Sequence, residues 1–215
     1  MVSKKELAII LSRLRKYDKA SVKLEQYTTD SEIASDVLWQ AYMHRDIDDK
    51  TIADLGSGTG ILGIGCLILG AKKVYFVDND ENSLKIAKSN LEYVKSCIKS
   101  EDSKEKAIKG EAVFICKDIS DFNEKVDTVI QNPPFGTKQK HADKMFLEKA
   151  FSITKIIYSF HKLETERFVN KISEDYGFEI THLWKFDFPI KATYSFHRKK
   201  IQRIKVGCWR IKGIK

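Results

Sequence analysis

A run of closely spaced glycines between a strand-like and a helix-like segment is the feature that most constrains the fold. Residues 51–55 have the composition of a short buried strand, and residues 61–69 have that of an apolar helix. Between them lies the sequence DLGSGTG, residues 54–60, whose glycines let the backbone turn sharply and approach a ligand without Cβ interference. The helix beyond presents unpaired N–H groups at its N-terminus. The chain is therefore predicted to be an α/β protein that binds a ligand at this turn.

Strand-like and helix-like segments alternate from residue 51 onward. The predicted strands are 51–55, 74–77, 112–116, 126–130 and 156–160, and the predicted helices are 61–69, 81–95, 143–151 and 164–176. This alternation indicates a mostly parallel sheet covered on both faces. Two further strands, 178–188 and 202–211, are separated only by a turn around Pro189, so we expect an antiparallel pair at the sheet edge. The prediction is a Rossmann-like, seven-stranded sheet.

The first 45 residues precede this pattern. Ser3 and Glu6 have the spacing of a capping box before a short amphipathic helix, which could dock on the body or on a partner. A second helix is predicted over 32–42, with a connector over 21–30 before it. The lysine-rich stretch 96–110 is expected to be a loop or a frayed helix end. A length of 215 residues suits one domain, with 1–45 as a helical extension of a core over 51–215.

Composition excludes several classes of protein. No apolar run approaches the ~20 residues that span a bilayer, and the N-terminus mixes charges of both signs without an apolar core. The four cysteines are scattered, with no CxxC pair and no histidine cluster at metal-ligand spacing. We therefore expect an intracellular, cytoplasmic protein without a metal site.

Positive charge is concentrated at the C-terminal end. The chain has a formal net charge of +8, yet nine Lys and Arg residues and no acidic residue follow Asp187, so residues 1–187 carry a net charge of −1. A near-neutral body with a cationic end is typical of a protein that binds a polyanion. The alternative is a solvated surface that aids solubility. We favour nucleic acid.

Acidic residues near the glycine turn indicate which ligand it binds. Asp78, at the end of the second predicted strand, can accept hydrogen bonds from both ribose hydroxyls of an adenosine. The same turn also satisfies the dinucleotide spacing GxGxxG over residues 58–63. However, Asp54, on the lip of the first strand, suits a cationic sulfonium and its amino group better than a pyrophosphate. Asp118, after the third strand, can meet the adenine amine or simply cap a turn. These carboxylates favour S-adenosylmethionine.

The tetrapeptide Asn132-Pro133-Pro134-Phe135 follows the fourth predicted strand. A conjugated NH2 group is a poor nucleophile, but the Asn132 side-chain oxygen and the Pro133 carbonyl can hold both of its hydrogens and favour a tetrahedral nitrogen. Consecutive prolines hold these acceptors rigidly. Phe135 can stack on a base pulled out of its helix, and Gly136 leaves room for the loop to close. The tetrapeptide predicts methylation of a planar amine by positioning and polarisation, without a strong base. By itself, Pro-Pro after a strand could be only a rigid turn.

With these residues, the chain resembles class I methyltransferases of the group that carries D/N/S-P-P-Y/F/W. It is most similar to the methyltransferase-like 5 family, which makes N6-methyladenosine in small-subunit ribosomal RNA. The similarity covers nearly the whole chain. Residues 24–29 match the segment before the sheet, although Thr28 replaces a usual Pro, and residues 132–137 match the catalytic stretch through the following Gly-Thr. The 96–110 segment is longer than this family leads us to expect.

The resemblance implies roles for individual residues and for partners. The catalytic residues would be Asn132, Pro133, Pro134 and Phe135. The residues that bind S-adenosyl-L-methionine would be Gln26, Thr29, Asp54, Gly56, Gly58, Thr59, Gly60, Ile61, Asp78, Asp118 and Ile119. Independently of the resemblance, the candidate RNA-binding residues are Lys138, Lys191, Arg198, Lys199 and Lys200. Relatives also bind a small zinc-binding activator subunit of the Trm112 type, which covers an exposed edge of the methyltransferase.

Three other functions compete with RNA adenine methylation. A protein glutamine-N5 methyltransferase would use the same two acceptors, but such enzymes usually carry Tyr after Pro-Pro and have a separate substrate-binding domain. A nicotinamide-dependent oxidoreductase would explain the GxGxxG spacing, but the chain has no evident proton relay. A non-catalytic RNA-binding subunit would not be expected to retain Asp54, Asp78 and the intact tetrapeptide.

Overall fold

The computed structural model describes residues 2–17, 29–100, 108–134, 142–191 and 201–214. Six helices and seven strands lie in these ranges. The helices are α1 (Lys4–Ser12), α2 (Ser31–Met43), α3 (Ile61–Ile68), α4 (Glu81–Ser100), α5 (Ala142–Ile153) and α6 (Glu166–Asp175). The strands are β1 (Thr51–Leu55), β2 (Lys73–Asp78), β3 (Glu111–Cys116), β4 (Thr128–Gln131), β5 (Ile156–Lys162), β6 (Phe178–Lys191) and β7 (Ile201–Gly213). In the described part of the chain, no helix has the length and apolar character needed to cross a bilayer.

The strands form one seven-stranded sheet in the order β3-β2-β1-β4-β5-β7-β6. The first five pair in parallel, whereas β7 runs antiparallel to both β5 and β6. The predicted fold class is therefore confirmed. Successive crossovers lead from β1 to β2 and β3 on one side, and from β4 to β5 on the other. Between β1 and β4 the sheet thus has its topological switch point, where doubly wound folds bind ligands.

The β6–β7 pair is longer than the strands it joins. Lys162, the last residue of β5, pairs with Val206, whereas β6 and β7 continue pairing as far as Lys191 and Ile201. Because β5 is parallel to β4, its carboxyl end lies at the same edge of the sheet as Asn132. The paired strands therefore extend beyond the edge of the sheet that carries the predicted site.

Helices cover the two faces of the sheet and produce two hydrophobic clusters. Helices α1 to α4 pack on one face together with apolar residues of the central strands, and α5 and α6 pack on the other. Ser3 and Glu6 form the predicted capping box at the start of α1. Leu7 and Leu11 of that helix are fully buried in the first cluster. Of the two possibilities for α1, docking on the body is the one observed.

Several predicted element boundaries differ from the observed ones. Pro189 lies within β6, opposite Arg203, rather than in a turn. Among the described strands, β6 is at the sheet edge and pairs only with β7, and a residue without an N–H group is tolerated on an edge strand. Helix α4 continues to Ser100, because neither Gly nor Pro interrupts it after residue 95, and the start of 96–110 is thus a helix end, one of the two expected possibilities. Strand β4 begins at Thr128, because Asp127 instead bridges to the start of β1 through its carboxylate and its backbone N–H.

A buried ionic cluster joins the end of α2 to the sheet. The Arg210 Nε donates to Asp46 Oδ2 at 2.8 Å, and the Tyr158 hydroxyl donates to the same oxygen at 2.7 Å. Both charged side chains are only 10% exposed. Arg210 is therefore not part of a cationic surface, although it contributes to the charge count at the C-terminal end. Lys205, also in that count, pairs with Asp187 at 2.7 Å.

Candidate active site

The glycine turn after β1 has a backbone conformation that glycine adopts more readily than other residues. Gly56 and Gly58 have φ angles of 66° and 53°, in the left-handed region. A Cβ atom on Gly58 would lie 2.7 Å from the Tyr17 hydroxyl, and one on Gly56 would lie 2.9 Å from the ring of Phe146. Both distances are too short for a real contact. The aromatic side chains of Tyr17 and Phe146 therefore flank the turn, and neither was predicted from the sequence to lie there.

Asp54 lies beneath the turn and not on the lip of the strand as predicted. It is 1% exposed, and its Oδ2 accepts a hydrogen bond of 2.8 Å from the Gly63 N–H in the first turn of α3. Burial raises the pKa of this carboxyl to about 7, although the Gly63 N–H acts in the opposite direction. A carboxylate held in this way ties β1 to α3, and a nearby cation would favour its ionised form.

Asp78 lies directly against the turn, at the end of β2. Its Oδ2 accepts from the Gly58 N–H at 2.7 Å, and its Oδ1 accepts from the Asp80 N–H at 2.9 Å. Burial is the main cause of a raised pKa at this carboxyl, and these two N–H groups act against it. Asp78 is therefore close to the predicted ribose position, and its contact with a ribose stays a prediction.

Asp118 caps a short 3-10 turn after β3. Its side chain is exposed and accepts from the Ser120 N–H at 2.9 Å, which lowers the pKa of the carboxyl. The following residue, Ile119, is buried. The capping role that the sequence left open is thus confirmed, whereas contact of Asp118 or Ile119 with an adenine stays a prediction.

The side chain of Asn132 is anchored at one end only. Its Nδ2 donates to the Thr29 hydroxyl at 2.9 Å. Its Oδ1 is buried, and no donor in the described ranges reaches it. An amide held by its nitrogen presents its oxygen as an acceptor, and an unsatisfied buried acceptor is a strong site for an N–H donor. This is the group that the methylation of a planar amine requires.

A buried polar chain lies behind Asn132 on the α5 face of the sheet. The Gln131 Nε2 donates to the Ser159 hydroxyl at 3.0 Å. The same Ser159 hydroxyl lies 2.6 Å from the His161 Nε2. Burial lowers the pKa of His161 to about 3, so its ring is neutral at physiological pH. The Ser159 hydroxyl accepts from Gln131 and so can give its proton to His161. This chain fixes the side chain that precedes Asn132, and no motif in the sequence pointed to it.

The sequence-predicted residues fall into two groups. The turn, Asp54, Asp78, Thr29 and residues 132–134 come together at the switch point between β1 and β4, where Leu55 pairs with Gln131. Several others lie outside the described residues: Gln26, Phe135, Gly136, Thr137, Lys138, Arg198, Lys199 and Lys200. For Lys191 only the backbone, at the end of β6, is described.

The residues at the turn fit S-adenosylmethionine. The Ser57 hydroxyl is buried, and no partner for it occurs in the described part of the chain, so it can hydrogen-bond to a ligand. Asp78 offers a carboxylate at the predicted ribose position, and the Asp54 carboxyl would be stabilised in its charged form by a cation. The carboxylates of Asp54, Asp78 and Asp80 lie close together beside the turn, and such a group of acidic side chains is unfavourable for a pyrophosphate. The donor set therefore suits a cationic nucleoside better than a dinucleotide.

Comparisons with known proteins agree with this assignment. The Methyltransferase small domain model matches residues 28–155, more than half of the chain. An uncharacterized protein from Methanocaldococcus jannaschii is 38% identical over 100% of this chain and 96% of its own length. The rRNA N(6)-adenosine-methyltransferase METTL5 of Danio rerio is 34% identical over 94% of this chain and 95% of its own.

A solved structure gives the same result for the fold. The crystal structure of an inferred RNA methyltransferase from Pyrococcus horikoshii superposes with a TM-score of 0.87, at 42% identity and 100% coverage of both chains. The resemblance based on motifs is thus confirmed along nearly the whole length of the chain. On this evidence, the chain belongs to the METTL5 family of S-adenosylmethionine-dependent class I methyltransferases.

Proposed function

We propose that this protein methylates the N6 atom of an adenine in ribosomal RNA, in the small subunit, and acts in the cytoplasm. The observation that carries the proposal is the buried, unpaired Oδ1 of Asn132, whose amide nitrogen is held by Thr29. An adenine amine has two hydrogens to donate, and this oxygen accepts one of them. The Pro133 carbonyl accepts the other.

The chain's own residues activate the amine by holding it. When bound, S-adenosylmethionine supplies a methyl group on a cationic sulfur. Hydrogen bonds from the amine to Asn132 and Pro133 draw its lone pair out of conjugation and aim it at the methyl carbon. The N–C bond forms as the C–S bond breaks, and the amine then loses one proton to solvent. Preorganised acceptors in a buried site lower this barrier without a titrating base.

The extended β6–β7 pair supports nucleic acid as the substrate. It projects past the sheet edge that carries Asn132, and the sequence between its strands holds Arg198, Lys199 and Lys200. Cations at this position would attract the phosphate backbone near the catalytic loop. We propose Lys138, Lys191 and these three residues as RNA contacts.

We also propose that a zinc-binding activator subunit of the Trm112 type binds this protein. Strand β3 is one edge of the sheet and pairs only with β2 among the described strands. Its central residues, Val113 to Ile115, are half-buried and apolar. An open strand edge with apolar side chains can pair with a strand of another chain. Co-expression with a subunit of this type, followed by size-exclusion chromatography, tests the pairing. A Val113→Pro variant should abolish co-elution.

Methylation of ribosomal RNA with labelled cofactor, followed by nucleoside mass spectrometry, tests the reaction. We expect N6-methyladenosine from the wild-type protein and none from Asn132→Ala. Calorimetry should show S-adenosylmethionine binding to the variant with nearly unchanged affinity. Label in a protein glutamine, or in a nucleoside other than N6-methyladenosine, would reject the proposed substrate. Binding of NAD in place of S-adenosylmethionine would reject the methyltransferase assignment itself.

A charge-reversal experiment tests the RNA contacts. We expect the double variant Lys199→Glu/Lys200→Glu to bind RNA more weakly and with a flatter dependence of log K on log salt, because fewer counterions are released. Lys50→Glu/Lys72→Glu is a matched control, since these lysines precede β1 and β2 at the opposite sheet edge. An equal loss in both double variants would mean that the C-terminal lysines contribute only general charge.

A further inference from the structure

One buried side chain joins the segment after α1 to the glycine turn by hydrogen bonds. Asn90 of α4 is 2% exposed. Its Oδ1 accepts from the Arg15 N–H at 2.8 Å, and its Nδ2 donates to the Arg15 carbonyl at 3.0 Å. The same Nδ2 also donates to the Thr59 carbonyl at 2.9 Å, within the glycine turn. Asn90 thus links the backbone of the N-terminal segment to the backbone of the turn.

Two residues after this link, Tyr17 reaches the turn itself. Its hydroxyl would lie 2.7 Å from a Cβ on Gly58, the glycine whose N–H is bound by Asp78. The hydroxyl is also 3.2 Å from the Ser83 Oγ, which donates to Asp80 at 2.8 Å. Tyr17 is therefore in contact with the same backbone that the cofactor must approach.

The hydroxyl of Tyr17 is suited to be a neutral hydrogen-bonding group beside the turn. Burial, helped by the nearby carboxylates of Asp78 and Asp80, raises the pKa of its hydroxyl to about 12, although the hydrogen bond with Ser83 acts in the opposite direction. The phenol therefore stays protonated at physiological pH and does not add negative charge beside these acidic residues. Tyr17 is half-buried, and its hydroxyl lies beside Gly58 and Ser83.

We propose that Tyr17 is a cofactor-binding residue, positioned by the Asn90 link, and that S-adenosylmethionine binding is coupled to docking of residues 13–17 on the turn. This inference deepens the proposed function and rests on its methyl donor, but not on the identity of the RNA. Coupling of this kind is reciprocal: if the docked segment favours the cofactor, the cofactor must stabilise the docked segment by the same factor. The two directions can be measured separately.

Calorimetric titration with S-adenosylhomocysteine, the demethylated product, measures how the docked segment affects the affinity for the ligand. We expect Tyr17→Phe to weaken binding about fivefold, the loss of one neutral hydrogen bond. Tyr17→Ala, which also removes the ring, should weaken it about tenfold or more. Tyr176→Ala is the matched control, since Tyr176 is exposed and far along the chain, after α6. Unchanged or tighter binding by Tyr17→Ala would overturn the proposal, because the ring would then be irrelevant to the ligand or in its way.

Hydrogen exchange of the free and ligand-bound protein measures how the ligand affects the stability of the docked segment. We expect S-adenosylhomocysteine to slow exchange of the amides in residues 13–17 of the wild-type protein, and to have no such effect in Tyr17→Ala. Asn90→Ala should weaken ligand binding by itself, and adding Tyr17→Ala to it should cost little more, since both changes break one linkage. Unchanged exchange in residues 13–17 of the wild-type protein would overturn the coupling.

These results are distinguishable from failure of the proposed function. Both measurements use only the nucleoside ligand and never the RNA. If RNA methylation is absent while Tyr17→Ala still loses affinity, the inference on Tyr17 stands and only the substrate is wrong. If Asn90→Ala does not fold, the Tyr17 variants still decide the outcome.

Discussion

The side-chain nitrogen of Asn132 donates to the Thr29 hydroxyl across 2.9 Å, although 103 residues separate them in the chain. This bond determines which end of the Asn132 amide is left without a partner among the described residues, and so which end would face the substrate in the proposed reaction. With the nitrogen engaged, the Oδ1 is left as an unpaired, buried acceptor. Thr29 is 4% exposed and immediately precedes the residue that caps α2, so the extension before the sheet holds the anchor firmly. Thr29 is thus linked to the proposed catalytic residue Asn132 as well as to the predicted cofactor site.

Replacing Thr29 by Val should lower kcat about 10- to 100-fold, because Val has the same shape but cannot accept from the Asn132 nitrogen. A freed amide can rotate and present the wrong atom to the amine, and small errors of position have effects of this size. Thr29→Ser keeps the hydroxyl and should restore most of the rate. Single-turnover methylation assays measure the rate of methyl transfer in each variant, and the cofactor Kd is measured in parallel. If Val and Ser variants are equally active, Thr29 does not orient Asn132.

Asp54 should make the stability of the free protein fall as pH rises. Its pKa is raised from 3.8 to about 7 in the folded chain, so its favourable contribution is complete below pH 3.8 and is lost as pH rises through 7. In Asp54→Asn, the amide oxygen can still accept from Gly63, and no charge is buried. Relative to this variant, we expect the wild-type free energy of unfolding to drop by up to about 4 kcal/mol between pH 4 and pH 8. Urea unfolding at a series of pH values measures the difference, and parallel pH profiles would contradict the assignment.

The same carboxyl should release a proton when the cationic cofactor binds. A bound cation favours ionised Asp54, so at pH 6 binding of S-adenosylmethionine by the wild-type protein should release more protons than binding by Asp54→Asn. Calorimetry in two buffers with different ionisation enthalpies counts these protons. Equal proton release from both would show that the cation does not act on Asp54.

Breaking the Asp46–Arg210 pair should destabilise the protein without involving the site chemistry. Arg210→Met leaves the Asp46 carboxylate buried without its cation, which typically costs about 3–5 kcal/mol. Asp46→Asn/Arg210→Met removes both charges and should recover part of this loss. Thermal unfolding measures these changes. Lys205→Met is the matched control, because the Lys205–Asp187 pair is exposed and should leave Tm almost unchanged. A similar fall in Tm for both single variants would contradict a special role for the buried pair.

The sequence by itself determined the fold class and the chemistry at the two key loops. The order of strands and helices was predictable because apolar periodicity is a local property, and only a mostly parallel sheet accommodates that alternation. DLGSGTG and NPPF were recognisable for a related reason: glycine and proline restrict the backbone wherever they stand. The boundary error at Pro189 shows the limit of this reasoning. Whether a proline breaks a strand depends on whether that strand lies at a sheet edge, and only the assembled sheet decides that.

Tertiary structure decided how the site residues are held. The partners of Asn132, Arg15 and Arg210 lie 103, 75 and 164 residues away in sequence, and no local pattern records such pairs. The burial of Asp54 beneath the turn, Tyr17 at Gly58 and the Gln131–Ser159–His161 chain are likewise properties of packed side chains. A hydrogen bond exists only when both groups are brought within about 3 Å in the right orientation, and folding alone does that. The sequence therefore identified the groups proposed to contact the cofactor and the amine, and tertiary structure identified the groups that orient them.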